Sequence, residues 1–246
     1  MTILMITLFR SIFAPPRHLI LLLAALWLGL TLSEKRVGRH NISKDALNNI
    51  IYYSILGYIL GGRLLFALEN ISAFTHSPLS IFSVSIDLFD PVGALIAALI
   101  VGFVYGQRQK LQLWATLDAL TPLFAMLAIG LSLSHLAAGT AFGKPGNVPW
   151  AIDLWNATRH PTQIYELIAA LLIFVFLWYR KRDSMRGADF LTFSALTAGA
   201  RLFLEAFRGD STLIFGGLRL AQVIAWVMLV VVLFVSESIY TKEKTH

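Results

Sequence analysis

The chain contains no cysteine and few charged residues. The absence of cysteine excludes disulfides, a thiolate metal site and a catalytic thiol on this chain. Only 14% of the 246 residues are Asp, Glu, Lys or Arg, whereas about one quarter is usual for a soluble domain. The sequence has no HExxH pattern, no P-loop and no glycine-rich nucleotide cradle. We therefore expect neither a metal site nor a bound cofactor.

Apolar side chains are abundant instead. Hydrophobic residues make up 57% of the chain, and its mean hydropathy is +0.71. This composition predicts an all-α integral membrane protein, because a bilayer leaves exposed backbone polar groups unsatisfied. The net charge of +6 is typical of cytoplasmic loops that face anionic lipid. The sequence contains no basic run interleaved with aromatic residues, so it does not indicate a nucleic-acid partner.

Hydrophobic segments separated by charged or Pro/Gly-rich breaks predict about seven spans, each near the ~20 residues that a bilayer requires. The first apolar run lacks a small-residue cleavage pattern, so we interpret it as a retained span. Residues 1–14 are predicted to lie on the membrane surface, and 70–90 to form a re-entrant or interfacial piece. The spans, within a single membrane domain of residues 1–246, are 18–33, 46–68, 91–106, 115–137, 163–179, 188–207 and 217–236.

The distribution of basic residues predicts the orientation. Twelve lysines and arginines lie in the first, third and fifth connections and in the C-terminal tail, and fewer lie on the opposite side. The positive-inside rule then places the C-terminus in the cytoplasm and the N-terminus outside. The long connection 138–162 would face outside.

Three charged residues interrupt the sixth predicted span, in Arg201-Leu-Phe-Leu-Glu205-Ala-Phe-Arg208. Positions i, i+4 and i+7 share one face of a helix, so the three charges are predicted to line one side. Glu205 could neutralise an arginine in a buried structural pair. Alternatively, the positive surplus binds an anion such as phosphate, which arginine contacts bidentately.

A second polar cluster opens the fifth predicted span, in Arg159-His160-Pro161-Thr162-Gln163-Ile164-Tyr165-Glu166. Pro161 suits the first helical turn, and Gln163 and Glu166 lie three apart on one face. A helix N-terminus attracts anions through its free N–H groups. The segment is a capped helix start in an aromatic belt or part of a binding site, and its density of polar groups favours a site.

Other polar residues stand alone. The arginine of Gly61-Gly62-Arg63 is either a snorkelling interface anchor or a phosphate ligand, and the two glycines admit another helix or a lipid headgroup. Asp118 and Gln222 are expected to form interhelical hydrogen bonds. A lone histidine at a span end, such as His135, is usually structural. Together the polar residues predict a basic pocket within the membrane that suits a phospholipid headgroup.

These segments resemble motifs of the bacterial prolipoprotein diacylglyceryl transferase family. His160–Glu166 is similar to the family's HPSQLYE motif, and Arg201–Arg208 to its RxxxEFFR segment. Gly61–Leu64 resembles its GGRLGY stretch, Leu220–Gln222 its GQ pair, and Val148–Ala151 its PW turn. Order and spacing match over most of the chain, and the family's topology of seven spans with the N-terminus outside agrees.

The resemblance implies an enzyme of the bacterial cytoplasmic membrane. The family transfers a diacylglyceryl group from phosphatidylglycerol to the lipobox cysteine of a prolipoprotein, and the thiol sulfur displaces glycerol phosphate. The implied partners are therefore phosphatidylglycerol, the lipobox segment of a prolipoprotein and the bilayer. By resemblance, Arg201 and Arg63 would hold the phosphate, Arg208 and Glu205 would shape the site, and His160, Gln163, Tyr165 and Glu166 would order the headgroup.

The chain departs from the family's GRxGNFxNGE signature. Ser132 stands at the signature arginine, His135 at its first asparagine, Ala138 at its second and Thr140 at its glutamate. One phosphate-binding arginine of the family is thus absent, and so is the family's usual base candidate, the histidine of an HGG turn.

Two further family positions also differ. The histidine of a family HGG turn falls on or near Pro91, beside Asp90, and a family tyrosine before the arginine of the sixth span is Thr197. Either His135 or His160 takes over proton transfer, or the chain no longer performs the standard reaction. We predict diacylglyceryl transfer to a prolipoprotein. The alternatives are a catalytically silent paralogue that binds phospholipid or lipoprotein, and a lipid transferase with another acceptor.

Overall fold

The computed structural model describes residues 2–76, 88–181 and 185–244, most of which are helical. Short 3-10 turns occupy Val37–His40 and Glu205–Phe207. Two compact units are formed, one by Met1–Arg36 with Leu117–His246 and the other by Val37–Thr116. The helices are α1 (Thr2–Ile12), α2 (Leu19–Arg36), α3 (Lys44–Glu69), α4 (Ile71–His76), α5 (Pro91–Arg108), α6 (Leu113–Ala138), α7 (Thr162–Tyr179), α8 (Ala188–Leu204) and α9 (Leu220–Lys244).

Within the described residues, six helices are long and apolar enough to cross a bilayer: α3, α5, α6, α7, α8 with the turn after it, and α9. The chain is therefore a mostly helical, multi-pass membrane protein, as its composition predicted. Helix α2 has 18 residues, but its last turn carries Glu34, Lys35 and Arg36, which lower its apolar character. The count of seven spans and the orientation stay predictions.

Two short antiparallel hairpins add strands that the sequence did not predict. Strand β1 (Ile152–Leu154) pairs with β2 (Ala157–Arg159) in the connection before α7. Strand β3 (Leu213–Ile214) pairs with β4 (Leu218–Arg219) immediately before α9. Residues 77–87 of the predicted interfacial piece lie outside the described residues. Helix α4 precedes these residues. The location of residues 1–14, which include α1, on the membrane surface stays a prediction.

In the unit Val37–Thr116, glycines bring α3 and α5 into close contact. A Cβ atom added at Gly61 would lie 2.1 Å from the Cβ of Ala97, and one added at Gly93 would lie 2.2 Å from Cδ2 of Leu65. Of the two predicted roles for the glycine pair at 61–62, approach of another helix is therefore confirmed. Arg63 is half-buried on α3 of this unit.

The start of α5 explains the residues at the family's HGG position. Asp90 caps the helix, since its carboxylate accepts a hydrogen bond from the backbone N–H of Gly93. Its own N–H donates to the carbonyl of Gly62 at 3.0 Å. Pro91 occupies the first turn, where a missing N–H costs nothing. This position therefore starts a helix.

In the other unit, α6 is the central helix, and most of its apolar stretch is buried. Asp118 on α6 accepts hydrogen bonds from the backbone N–H of Gly187 at 2.6 Å and of Phe190 at 2.9 Å. It thereby caps the start of α8. Gln222 on α9 donates to the carbonyl of Leu202 on α8 at 3.0 Å. The predicted interhelical roles of Asp118 and Gln222 are confirmed.

The prediction that Arg201, Glu205 and Arg208 share one helical face is wrong for Arg208. Helix α8 ends at Leu204, a 3-10 turn follows, and Arg208 is extended, with φ −73° and ψ 140°. The guanidinium of Arg219 donates to the carbonyls of Glu205 and Arg208. A helix end leaves its last carbonyls without intrahelical partners, and a side chain from the next hairpin takes up carbonyls just beyond this end.

Candidate functional site

Side chains from three helix ends meet in one network of ion pairs. His135 lies in the last turn of α6, Glu166 near the start of α7, and Arg201 in the last turn of α8. Glu205 and Arg208 belong to the turn that follows α8. All five residues lie in the same compact unit.

Glu166 is shared between both arginines. Its Oε1 lies 2.8 Å from Nη1 of Arg201 and 3.1 Å from Nη1 of Arg208. Its Oε2 lies 3.9 Å from Nδ1 of His135. The side chain of Glu166 is only 14% exposed, so the two guanidinium groups compensate a carboxylate that is largely removed from solvent.

Glu205 is the most deeply buried charge of the network, at 1% exposure. Its Oε2 lies 3.0 Å from Nη2 of Arg201 and 3.9 Å from Nε of Arg208. Arg208 also contacts Oδ1 of Asp210 at 2.9 Å. The two arginines therefore face three carboxylates, which are Glu166, Glu205 and Asp210.

The expected positive surplus is wrong for this reason. The sequence pattern paired Arg201 and Arg208 with Glu205 alone, because Glu166 and Asp210 lie outside that segment. An anion that binds the guanidinium groups must therefore take the place of a carboxylate or use N–H groups that remain available. The network contains one more carboxylate than guanidinium groups, and in a membrane protein such ionised groups are rare and usually paired.

The start of α7 is fixed by backbone contacts. The side-chain amide of Gln163 donates to the carbonyl of Thr140 at 2.8 Å, and the hydroxyl of Thr162 donates to that of Ala141 at 2.6 Å. Gln163 and Thr162 are fully buried. These bonds place Glu166 by tying its helix to the chain beyond α6. Helix α7 begins at Thr162, with Pro161 as the preceding cap residue.

His160 and Tyr165 belong to an adjoining aromatic group. Nδ1 of His160 lies 3.3 Å from the Tyr165 hydroxyl, which also accepts a hydrogen bond from Nε1 of Trp150 at 2.6 Å. The ring of Phe207, next to Arg208 in the chain, lies 5.5 Å from the His160 ring and 6.0 Å from that of Tyr165. Arg159 donates to the carbonyls of Leu154 and Gly143 and supports the β1–β2 hairpin.

A small cavity of about 130 Å³ borders the ion network. It lies between α6, α7 and α8, and its wall is mostly alanine and larger apolar side chains. Glu166 and Arg201 contribute its charged part, and Ser132 and Thr197 also line it. Ligand pockets usually measure about 300–1,000 Å³. The cavity is therefore too small to enclose a lipid headgroup together with its acyl chains.

Comparison with known proteins identifies the family. The sequence model of the prolipoprotein diacylglyceryl transferases matches residues 17–236. The chain belongs to this family. The family resemblance given by the sequence motifs is thereby confirmed.

Curated relatives match over most of the chain. A phosphatidylglycerol–prolipoprotein diacylglyceryl transferase of Methylococcus capsulatus is 30% identical over 68% of this chain and 66% of its own length. A protein of the same name from Finegoldia magna is 28% identical over 86% of each chain. One from Legionella pneumophila is 29% identical over 78% of each.

The departures from the family pattern have definite positions in the structure. Ser132 and Thr197 replace a longer arginine and tyrosine of the pattern, and both face the cavity beside Arg201. The Ser132 hydroxyl donates to the carbonyl of Ala128 at 3.0 Å. His135 replaces an asparagine and points a ring nitrogen toward Glu166. Three of the differences therefore cluster around one charged site.

The structure thus brings together His135, Glu166, Arg201, Glu205 and Arg208, and places His160 and Tyr165 in the group beside them. Arg63 lies in the other unit, and its role as a phosphate ligand stays a prediction. Sequence reasoning missed Asp210 and Arg219 as members of the network. The spacing of Asp210 two residues after Arg208 was an available signal, whereas nothing local linked Arg219 to Glu205.

Proposed function

We propose that this protein transfers a diacylglyceryl group from phosphatidylglycerol to the lipobox cysteine thiol of a prolipoprotein. The names of its curated relatives support the substrates. The observation that carries the proposal is the fork of Arg201 and Arg208 on Glu166, beside an apolar cavity between membrane helices. A guanidinium group matches phosphate oxygens bidentately, and it remains charged in a membrane.

The chemistry requires stabilisation of a departing phosphate. The thiolate sulfur forms a bond to the glyceryl carbon, the carbon–oxygen bond to phosphate breaks, and glycerol phosphate leaves with the electron pair. Arg201 and Arg208 would face the negative charge that grows on the phosphate oxygens. Such fixed cations act strongly where water is excluded. Glu205 and Asp210 would hold the guanidinium groups in place before the lipid arrives.

The phosphate must compete with a carboxylate for these arginines. Glu166 is the natural carboxylate to give way, because one oxygen serves both guanidinium groups and its side chain borders the cavity. In this proposal His160, Tyr165 and Gln163 form the headgroup side of the site, where Gln163 acts by fixing the start of α7. The cavity would widen, or the acyl chains would lie against the outer helix surfaces.

The proposed location is the bacterial cytoplasmic membrane, with seven spans, the N-terminus outside and the tail inside. A chain without cysteine allows a direct test with single cysteines. Asn147→Cys, in the exposed connection after α6, should react with a membrane-impermeant maleimide in intact spheroplasts. Thr241→Cys, near the end of α9, should react only after permeabilisation. The reverse pattern would contradict the orientation.

Complementation tests the reaction. The chain should rescue a bacterium depleted of its own diacylglyceryl transferase, and the purified protein should transfer labelled diacylglycerol from phosphatidylglycerol to a lipobox peptide. Failure of both assays with a well-expressed, folded protein would instead support a silent lipid-binding paralogue. Release of glycerol phosphate without peptide modification would indicate another acceptor.

A further inference from the structure

The two carboxylate oxygens of Glu166 face different partners. Oε1 accepts from Arg201 and Arg208, whereas Oε2 is directed toward Nδ1 of His135 across 3.9 Å. That distance is too long for a hydrogen bond. Nδ1 of His135 is buried, and it has no hydrogen-bond partner among the described residues. A buried polar atom without a partner requires an explanation, and a catalytic role is one of the recurring ones.

We propose that Glu166 exchanges partners when the anionic headgroup binds. The lipid phosphate takes over the guanidinium groups of Arg201 and Arg208, and the released carboxylate moves onto Nδ1 of His135. Shortening the present separation to a hydrogen bond requires a movement of about 1 Å. This inference rests on the proposed transfer reaction, and it makes Glu166 a positioning residue and His135 the base.

The exchange gives His135 the tautomer that a base needs. A carboxylate on Nδ1–H leaves Nε2 unprotonated, so that Nε2 accepts the proton of the lipobox thiol. The resulting thiolate attacks the glyceryl carbon, the carbon–oxygen bond breaks, and the electron pair stays with glycerol phosphate. The imidazolium proton then passes to solvent. Because Glu166 is free only when phosphate occupies the arginines, the base is assembled only when the lipid is in place.

The structure favours His135 over His160 in this role. Nδ1 of His160 lies beside the Tyr165 hydroxyl, and its ring packs against Phe207. Within the described part of the chain, His160 forms no ion pair with a carboxylate. The charged groups around His135 are Glu166 from α7, Arg201 and Glu205 at the end of α8, Arg208 beyond it, and Arg10 of α1, which approaches Gly139 one turn further on.

The test uses the full-length protein in phosphatidylglycerol vesicles with a synthetic lipobox peptide. His135→Gln should lower the transfer rate at pH 7 by about 10²–10⁴-fold, the usual contribution of a general base. The deficit should shrink above about pH 8.5, where the peptide thiol ionises without help. Glu166→Gln should slow transfer too, and the double variant should be no slower than His135→Gln alone.

Asp210→Asn provides the matched control, because among the ion pairs of the described residues Asp210 pairs with Arg208, whereas His135 pairs with Glu166. In the double variant, the fold reduction in transfer rate caused by Asp210→Asn should multiply with the reduction caused by His135→Gln, whereas that caused by Glu166→Gln should not. If Glu166→Gln fails to fold, Glu166→Asp keeps the charge on the arginines and shortens the reach toward His135, and it should show the same masking.

The outcomes separate the two proposals. An inactive wild-type protein overturns the transfer reaction and this inference with it. If the wild type is active and His135→Gln transfers at the same rate, the role of His135 as the base is overturned while the transfer reaction stands. The same holds if the rate deficit of His135→Gln is equal at pH 7 and pH 9.5. Multiplicative losses for Glu166→Gln and His135→Gln overturn the exchange of partners while leaving the reaction in place.

Discussion

Arg201 and Glu166 form an ion pair, with 2.8 Å between Nη1 and Oε1, that joins the end of α8 to the start of α7. The second arm of Arg201, Nη2, lies 3.0 Å from Glu205 on its own chain segment. One guanidinium group therefore contacts two carboxylates. Removing one partner of a buried ion pair lowers the free energy of unfolding by far more than the intact pair contributes to it, because the remaining charge is left without compensation. A large truncation at Arg201 thus tests folding and catalysis together.

We predict that Arg201→Lys separates these effects. Lysine keeps a positive charge for Glu166 but loses the fork that reaches Glu205 and phosphate together. Transfer should fall by about 10²-fold, comparable with the loss of one transition-state donor, while membrane insertion persists. The initial transfer rate and the unfolding temperature in detergent measure the two effects. A lysine variant with the wild-type rate would remove Arg201 from phosphate binding.

Arg201→Ala is the paired variant. It leaves Glu205, which is 1% exposed, with only the more distant Arg208, and we expect a loss of about 3 kcal/mol in the free energy of unfolding. Transfer should be abolished. An alanine variant as stable as the wild type would show that water or the remaining arginine compensates Glu205.

The cavity allows a second prediction, at Thr197. Its Oγ1 is buried with no hydrogen-bond partner among the described residues, and the side chain lines the cavity beside Arg201. Thr197→Val preserves the shape and removes a hydroxyl whose burial costs about 1–3 kcal/mol when unpaired. The variant should therefore be more stable, but it should transfer more slowly if the hydroxyl faces bound lipid, as we expect.

Ser194 is the matched control on the same helix. Its hydroxyl is also buried without a partner among the described residues, but it does not line the cavity. Ser194→Ala should raise the unfolding temperature and leave the transfer rate unchanged. Equal rate losses in the two variants would show that the Thr197 hydroxyl has no specific contact with the substrate.

The sequence predicted the helical membrane class and many of the residues that the structure brings together around Glu166, since both follow from local patterns. Apolar runs define the helices, and a lone polar residue such as Gln222 or Asp118 must find a partner on another helix. The contacts of Glu166 were not predictable in this way. Glu166 and Arg201 are 35 residues apart, and only the packing of α7 against α8 brings them together. The predicted surplus of positive charge at the two arginines was therefore wrong.

The prediction for the end of α8 was wrong for a related reason. A helical period continued through Arg208 predicts one charged face, but Arg219 from the following hairpin binds the carbonyls of Glu205 and Arg208. A side chain from the next element thus holds the chain in the 3-10 turn and the extended segment that follow Leu204. The short hairpins β1–β2 and β3–β4 were missed because two- and three-residue strands carry almost no alternating pattern.

A third prediction concerns Asp118, which caps α8 through the backbone N–H groups of Gly187 and Phe190. Asp118→Ala leaves these donors without their acceptor, and loss of a cap costs about 0.5–2 kcal/mol. The unfolding temperature should fall, whereas KM for lipid and peptide should not change. Asp189→Asn, in the first turn of α8, is the control, and it should have a smaller effect. A specific loss of turnover in folded Asp118→Ala would give this residue a role beyond capping.

The contact between α3 and α5 supplies a prediction with a built-in rescue. A Cβ atom at Gly61 would lie 2.1 Å from the Cβ of Ala97, and neither atom can rotate away. Gly61→Ala gains about 1 kcal/mol in helix propensity, but overpacking costs about 1–3 kcal/mol, so we expect a net loss of stability in thermal unfolding. Gly61→Ala combined with Ala97→Gly restores the space and should recover most of that loss. Gly38→Ala, where a Cβ atom meets nothing within 4 Å, should be neutral. If Gly61→Ala alone were as stable as the wild type, the two helices would have room to separate, and the glycine would not be required for their contact.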